Sequence, residues 1–390
     1  MADTNNKILL LTLVHPDFLP PVYAIAQVLR DEGYSIHILT FDSFVPAYLD
    51  IGNNIVVESV GKHHGIGLPQ RLQIRSKFRS RAGELAAGQP GAIMAFCTFS
   101  YLCALQIKKN SPVIYHAIEV ADFIPKLFTK SPLSHLNNLL ALKKAHKADL
   151  AATPSVQRSA WLAGRSHLDF LPHTILNTAY LSPTAEQDYT AIFRQIVPEP
   201  LQDKKIILYT GAVNAHLCIK ELVMAFEQIN DQMSALIITG IKDNDYCNEI
   251  KSAVAASKAG SRIKLFPYVT RTEMLALQAN ADIGVCLARE YEDNVESRMM
   301  APNKVGEYLS KGLYLLGVST EYMTQFKMKG IASLAASPTP EAIGIAMQDA
   351  LQAVNDKSYK TTIRNFVKDY FCMQQQLKPV LAFLKNKGTN

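Results

Sequence analysis

The runs Ile8-Leu-Leu-Leu-Thr-Leu-Val14, Val22-Tyr-Ala-Ile-Ala-Gln-Val-Leu-Arg-Asp-Glu32 and, after Gly33, Tyr34-Ser-Ile-His-Ile-Leu-Thr-Phe41 decide the fold class between them. The first is short and uninterruptedly apolar, the pattern of a strand buried on both faces. The second places Ala24, Ile25, Val28 and Leu29 at helical spacing and stops at a glycine, the residue that most readily takes the left-handed conformation at a helix end. The third is a second strand. Strand, helix and strand in this order make one βαβ unit of a parallel sheet.

The alternation continues outward. Ile55–Val60, Ala92–Phe96, Pro112–His116 and Leu150–Thr153 read as strands, and Gln73–Ala87, Phe99–Lys109, Leu133–Ala148 and Ser155–Ala163 as helices. The block closes with Asp169–Leu171 and a loop from Pro172 to Ala179. Thr184–Pro200 carries a helix, and Pro198, Pro200 and Asp203 then punctuate the chain. A second block begins with strand Ile206–Tyr209. It runs through helix Lys220–Ile229, strand Ala235–Thr239, helix Tyr246–Lys258, strand Ile263–Leu265, helix Arg271–Ala279 and strand Ile283–Cys286 to helix Asn303–Lys311 and strand Tyr314–Val318. The expected division is residues 1–182, a linker 183–202, residues 203–355, and a helical tail 356–390 that returns to brace the first domain. Two such α/β blocks facing each other leave a cleft at the carboxyl ends of their strands, where open parallel sheets bind ligands.

Composition agrees. A chain of 390 residues exceeds the size at which one core keeps growing. With 48% hydrophobic and 19% charged residues it is globular, not disordered. The six cysteines form no CxxC pair, so neither a zinc site nor a disulfide framework is indicated, and they read as buried thiols in a reducing cytoplasm. Ile8–Val14 is too short for a signal-peptide core plus cleavage site or for a membrane span. Lys62, Arg71, Arg75, Lys77, Arg79 and Arg81 lie in one stretch without an acidic residue. That 62–81 segment is either a solvated basic face or a surface that meets anionic lipid at the inner face of the membrane, or an anionic acceptor. No nucleic-acid module accompanies the charge.

The chemistry concentrates in Ala281-Asp-Ile-Gly-Val-Cys-Leu287 and Ala301-Pro-Asn-Lys-Val-Gly-Glu-Tyr-Leu-Ser-Lys-Gly-Leu-Tyr-Leu-Leu-Gly317. A helix starting at Pro302–Asn303 offers unbonded N–H groups and a partial positive charge, and Lys304 adds a full one, which suits a diphosphate. Glu307 lies close to one turn further on and can accept two hydroxyl hydrogen bonds, as a ribose demands. An ordinary i,i+3 salt bridge between Lys304 and Glu307 would give the same spacing.

Pro302-Asn-Lys-Val-Gly-Glu-Tyr-Leu-Ser-Lys-Gly312 resembles the P-[NS]-K-x-x-E-Y-x-x-x-G element of the bacterial GT-B glycosyltransferases often grouped as family 4. Leu208-Tyr-Thr-Gly-Ala-Val-Asn214 resembles the Y-x-G-x-x-N turn that opens that family's donor domain, and the two together are fairly specific. Weaker echoes are Ile114-Tyr-His-Ala-Ile-Glu119, Ala148-Asp-Leu-Ala-Ala-Thr153 with Leu171-Pro-His-Thr-Ile-Leu-Asn177, and the terminal Phe371–Leu384. The resemblance implies two Rossmann-like domains facing across a cleft, with a C-terminal helix crossing back to the first. It implies transfer of a glycosyl group from a UDP- or GDP-sugar to a hydroxyl of a glycan or lipid-linked acceptor, with retained anomeric configuration and without a metal or other cofactor. It assigns the ribose to Glu307 and the diphosphate to Lys304 and the backbone at Asn303, with Gly211 and Asn214 beside the donor.

The chain departs from the family at Ala212 and Leu217, where a basic residue is usual, and at Met299, eight residues before Glu307, where many members carry a second glutamate. Arg289 or Arg298 would supply the missing cation, and Glu290, Glu292, Asp293 or Glu296 the carboxylate; a solvated loop is the plain alternative. On the acceptor side His116 would bond a sugar hydroxyl, or be a satisfied core histidine, and Glu119 would orient the acceptor. His15 and Asp17 line the acceptor pocket or form a simple strand-to-helix turn. Asp243-Asn-Asp245 reads as a turn, not a metal pair. A dinucleotide dehydrogenase is excluded by the lack of GxGxxG after the first strand. A sugar-nucleotide epimerase and a catalytically weak scaffold remain as rivals.

Overall fold

The structure is a computed structural model; it describes residues 6–13, 19–41, 54–63, 65–118, 132–182, 187–289, 299 and 301–388. The chain forms two compact units, Met1–Tyr180 with Met373–Asn390, and Leu181–Cys372.

The first unit is built on strands β1 (Lys7–Leu11), β2 (Ser35–Thr40), β3 (Ile55–Ser59), β4 (Ala92–Ala95), β5 (Val113–His116), β6 (Leu150–Thr153) and β7 (His173–Thr174). They pair in parallel in the order β3-β2-β1-β4-β5-β6-β7. Helices α1 (Pro20–Asp31), α2 (Leu68–Ala87), α3 (Thr98–Ile107), α4 (Pro132–Lys144) and α5 (Val156–Ser166) connect them. The apolar run that opens the chain is divided by the two-residue period of a strand. Ile8 and Leu10 join a core with Val22, Ile25 and Leu29 of α1, while Leu9 and Leu11 join one with Phe78 of α2 and Phe99 of α3.

The second unit begins with α6 (Thr190–Ile196) and α7 (Glu199–Gln202), so part of the stretch read as linker is helical. Its strands are β8 (Lys205–Tyr209), β9 (Ser234–Ile238), β10 (Ile263–Leu265), β11 (Ile283–Cys286), β12 (Tyr314–Val318) and β13 (Ala332–Ala335), ordered β10-β9-β8-β11-β12-β13, all parallel. The helices are α8 (Ile219–Glu227), α9 (Asp245–Ala256), α10 (Arg271–Ala279), α11 (Asn303–Ser310), α12 (Glu321–Met328), α13 (Pro340–Ala353) and α14 (Ser358–Tyr370).

The tail divides between the units. α14 stays in the second, where the Tyr359 hydroxyl donates to Asp282 at 3.1 Å and Phe366 and Phe371 pack on Phe326. α15 (Met373–Gln376) and α16 (Lys378–Gly388) belong to the first, where Met373, Leu377, Val380, Leu381 and Leu384 enter the core beside α1. The return of the C-terminal helix to the first unit, expected from residue 356, thus begins at Met373.

Three local differences have physical reasons. α2 starts at Leu68, before the expected Gln73, because Pro69 fits a first helical turn whose N–H groups lack intrahelical acceptors. Asn244 of the expected turn caps α9, its side chain accepting from the Cys247 amide at 2.9 Å. His173–Thr174, read as loop, is a strand because it continues the ladder beside Ala152 and Thr153.

Candidate functional site

In each sheet the strand order reverses direction once, between β1 and β4 and between β8 and β11. Such a switch point opens a crevice at the carboxyl ends of the strands. In the second unit, β8 leads into Thr210 and Gly211, and α11 supplies the groups that meet them.

Gly211 has φ +119°, a conformation that side-chain-bearing residues rarely adopt. A Cβ there would lie 3.6 Å from Lys304 Nζ, so the lysine ammonium sits directly against this turn. The same ammonium stands 4.0 Å from the centre of the Tyr209 ring, a cation–π contact that holds it at the strand end. Beneath, the buried Tyr308 hydroxyl accepts from the Thr210 amide at 2.8 Å and lies 3.0 Å from Thr210 Oγ1, tying α11 to the end of β8. Tyr308 fits because Gly284 on β11 has no side chain; a Cβ there would come 2.4 Å from the ring.

Pro302 precedes α11 as its N-cap, and no acidic residue occupies the first turn. The helix therefore brings its amides and Lys304 to one place with no carboxylate in its own first turn to neutralise them. The anticipated i,i+3 pair with Glu307 does not form. Glu307 instead accepts from Arg271 Nη1 at 2.5 Å and from Gln278 Nε2 at 3.2 Å, both on α10. Its side chain is only 14% exposed. Two of roughly four lone-pair directions are taken, and two remain.

The turn after Gly211 adds His216, half-buried, with its pKa drawn below the usual imidazole value by burial and by the charge of Lys304. Lys304 acts on Cys286 and Tyr308 as well, opposing the rise that burial imposes on each. Asn214 Oδ1 and Gln278 Oε1 are buried without a hydrogen-bond partner among the described residues. Arg289 donates its backbone N–H to the His216 carbonyl at 2.7 Å and a guanidinium N–H to Glu221 at 2.8 Å. Arg298 and the carboxylates Glu290, Glu292, Asp293 and Glu296 lie outside the described residues.

In the first unit His116 ends β5 and is fully buried. Neither ring nitrogen has a partner in hydrogen-bonding geometry among the described residues. Burial pushes its pKa down to about 3, against a weaker opposing pull from the Ile175 backbone. His15, Asp17 and Glu119 lie outside the described residues.

The structure thus brings together Gly211, Lys304, Pro302, Asn303 and Glu307 in one unit and holds His116 in the other. Arg271, Gln278 and His216 escaped the sequence reading. Arg271 was legible only as a helix start, and Gln278 and His216 carried no signal of their own beyond nearness to a recognised turn or helix.

The fold is that of the GT-B glycosyltransferases. Sucrose-phosphate synthase from Thermosynechococcus elongatus matches with a TM-score of 0.68 at 16% identity, covering 98% of this chain and 99% of the other. Anabaena HepE, in a structure with UDP-glucose, matches at 0.69 and 15%, covering 97% and 99%. A provisionally assigned UDP-N-acetylglucosamine 2-epimerase from Listeria monocytogenes matches at 0.62 and 14%, covering 99% and 97%. No protein-family model matches the chain, and a search of the curated proteins found none similar in sequence.

Proposed function

We propose that this chain is a glycosyltransferase that takes a nucleoside-diphosphate sugar as donor, a UDP- or GDP-sugar, and transfers the sugar to an acceptor hydroxyl with retention and without a metal. The observation that carries this reading is the contact of Lys304 with the Gly211 turn at the switch point of the second sheet. A diphosphate at that turn meets the lysine and the first-turn amides of α11, and charge that develops on the leaving diphosphate is stabilised there. Glu307, fixed by Arg271 and Gln278, keeps lone pairs for the ribose hydroxyls. Asn214 and Gln278 have acceptors unfilled among the described residues, open to N–H or O–H groups of the nucleotide. Arg289 and Arg298 add positive charge near the donor. His116, Glu119, His15 and Asp17 serve the acceptor side.

The acceptor is a glycan or lipid-linked glycan, and the reaction belongs to bacterial glycan or glycoconjugate synthesis on the cytoplasmic side of the membrane. No helix among the described residues is long and apolar enough to cross a membrane. Contact with anionic lipid is peripheral, through the basic 62–81 segment, where Leu68 is 58% and Leu72 49% exposed on the same helix as Arg71 and Lys77.

Thermal-shift screening with UDP, GDP, ADP and their sugars, followed by donor hydrolysis and transfer assays, tests the reading. A shift with a nucleoside diphosphate that is lost in Glu307→Ala is expected; the same shift in both proteins removes Glu307 from the site. The likeness to the Listeria epimerase favours a second reading, sugar-nucleotide epimerisation, which would consume donor and form its epimer with no acceptor present.

A further inference from the structure

The cations of α2 are not equivalent. Arg81 is compensated: it donates to Glu58 at 2.6 Å and to Glu84 at 2.7 Å. Arg71, Arg75 and Arg79, spaced four residues apart and so on one helical face, have no carboxylate within ion-pair distance among the described residues. Their charges oppose one another. Arg75 has its pKa lowered chiefly by burial, with Arg71 and Arg79 adding to the effect and the Cys97 side chain resisting it.

These arginines are also held in place. The guanidinium carbons of Arg75 and Arg79 lie 5.1 Å and 5.2 Å from the centre of one ring, that of buried Phe99. Arg75 Nε donates to His63 Nε2 at 3.4 Å. The terminal nitrogens of Arg75 and all three nitrogens of Arg79 make no hydrogen bond among the described residues. Two planar forks are therefore set beside one aromatic ring with their terminal donors unused among the described residues. A guanidinium fork matches the oxygen geometry of a phosphate, whereas a lysine offers only a point charge.

The place in the fold matters. Phe99 is in the first turn of α3, just after β4, and the Phe96 ring three residues earlier is 5.8 Å from that of His116 at the end of β5. The arginine row thus stands at the carboxyl edge of the first sheet, on the side where acceptor groups were assigned.

We propose that Arg75 and Arg79, with Arg71 beside them, form a binding site for a phosphate group carried by the acceptor, in the sense of the glycosyl-transfer reading above on which the word acceptor rests. The phosphate supplies the counter-charge that the fold withholds from these three residues and gives to Arg81. Docking on a bilayer would instead weight each cation equally, whatever its geometry.

The test is calorimetric titration of the full chain with phenyl phosphate, with phenol as the uncharged control, in the presence and absence of saturating UDP. Arg75→Gln and Arg79→Gln are expected to weaken phenyl phosphate binding about tenfold or more each. Arg75→Lys, which keeps charge and bulk but loses the fork, restores part of it, and Lys77→Gln stays within about twofold of the unaltered protein. Cosedimentation with phosphatidylcholine vesicles, with and without phosphatidylglycerol, forms the second arm. Failure to bind phenyl phosphate, an equal loss in Lys77→Gln, or binding to anionic vesicles alone overturns the proposal. UDP binding is read separately in the same proteins, so its absence would count against the donor reading and leave the phosphate site standing or falling by its own titration.

Discussion

The two sheets share the order of their six common strands, yet their carboxyl ends are finished differently. At the second, the charged groups and the strand-end threonine are tied to neighbours, Thr210 to Tyr308, Glu307 to Arg271 and Gln278, and Lys304 to the Tyr209 ring, while Asn214 Oδ1 and Gln278 Oε1 stay open among the described residues. At the first, among the described residues, His116 is buried without a hydrogen-bond partner and Arg71, Arg75 and Arg79 have no carboxylate within ion-pair distance. An end whose groups orient one another holds its geometry before a ligand arrives, which is what transition-state stabilisation requires. An end with unmet charge and unmet donors leaves the completion of its hydrogen bonding to whatever binds there.

The comparison breaks most visibly if the second end is not preorganised for a nucleotide. On the proposed reading, Glu307→Ala removes two ribose hydrogen bonds and breaks the ion pair with Arg271. The expected outcome is a rise in the UDP dissociation constant on the order of a hundredfold, about 3 kcal/mol. Glu307→Gln should fall between, since an amide retains one acceptor oxygen. Titration calorimetry decides, and equal affinity in all three proteins would leave Glu307 as a merely structural partner of Arg271.

The first end is sharpened by acid. His116 titrates near 6.5 when unfolded and at about 3 when folded. Between those values the unfolded chain binds the extra proton, so stability is complete above pH 6.5 and falls as pH drops toward 3. The expected slope is about 1.4 kcal/mol per pH unit, or about 2 kcal/mol by pH 5. His116→Phe should flatten that part of the urea-midpoint profile; an unchanged profile would mean that His116 acquires a partner in solution.

A third prediction concerns the turn itself. Gly240, with φ +86°, lies so close to the Gly211 turn that a Cβ would fall 2.1 Å from the Gly211 carbonyl oxygen. Gly240→Ala should cost about 1–2 kcal/mol in stability and weaken nucleotide binding, because the backbone at Gly211 must move. Loss of stability with unaltered UDP affinity would separate the turn from the site.

How much of this was legible follows from the range of each interaction. Local pattern sufficed for the alternation of strands and helices, for the Gly211 turn and for the α11 start. The structure adds an internal echo that the sequence reading did not draw, between Ala148-Asp149 and Ala281-Asp282. In the structure each aspartate accepts an N–H from the start of a neighbouring strand, Asp149 from Val113, the first residue of β5, at 2.9 Å and Asp282 from Ile206, the second residue of β8, at 3.0 Å. What pattern could not carry is partnership across the fold. Arg271 meets Glu307 only because β11 lies between their helices in sequence and brings them together in space. β7 is a strand only because β6 offers it a ladder, and the pairing of Arg75 and Arg79 about Phe99 depends on α2 crossing α3.

The smallest effect is also the most specific to the Lys304 cluster. His216 has its pKa lowered by burial and by Lys304, so it is largely neutral at pH 7 in the unliganded protein. A diphosphate placed against Lys304 would reverse the sign of the local field and raise that pKa. Binding then takes up a proton, and affinity for UDP should strengthen as pH falls from 8 toward 6, by a few-fold and by at most about tenfold per unit. His216→Asn should bind UDP with a flatter pH profile between those limits, since the remaining titration is that of the nucleotide. If the unaltered protein and His216→Asn show the same profile, the diphosphate does not lie where Lys304 and the Gly211 turn meet, and the contrast between the two sheet ends would need another cause.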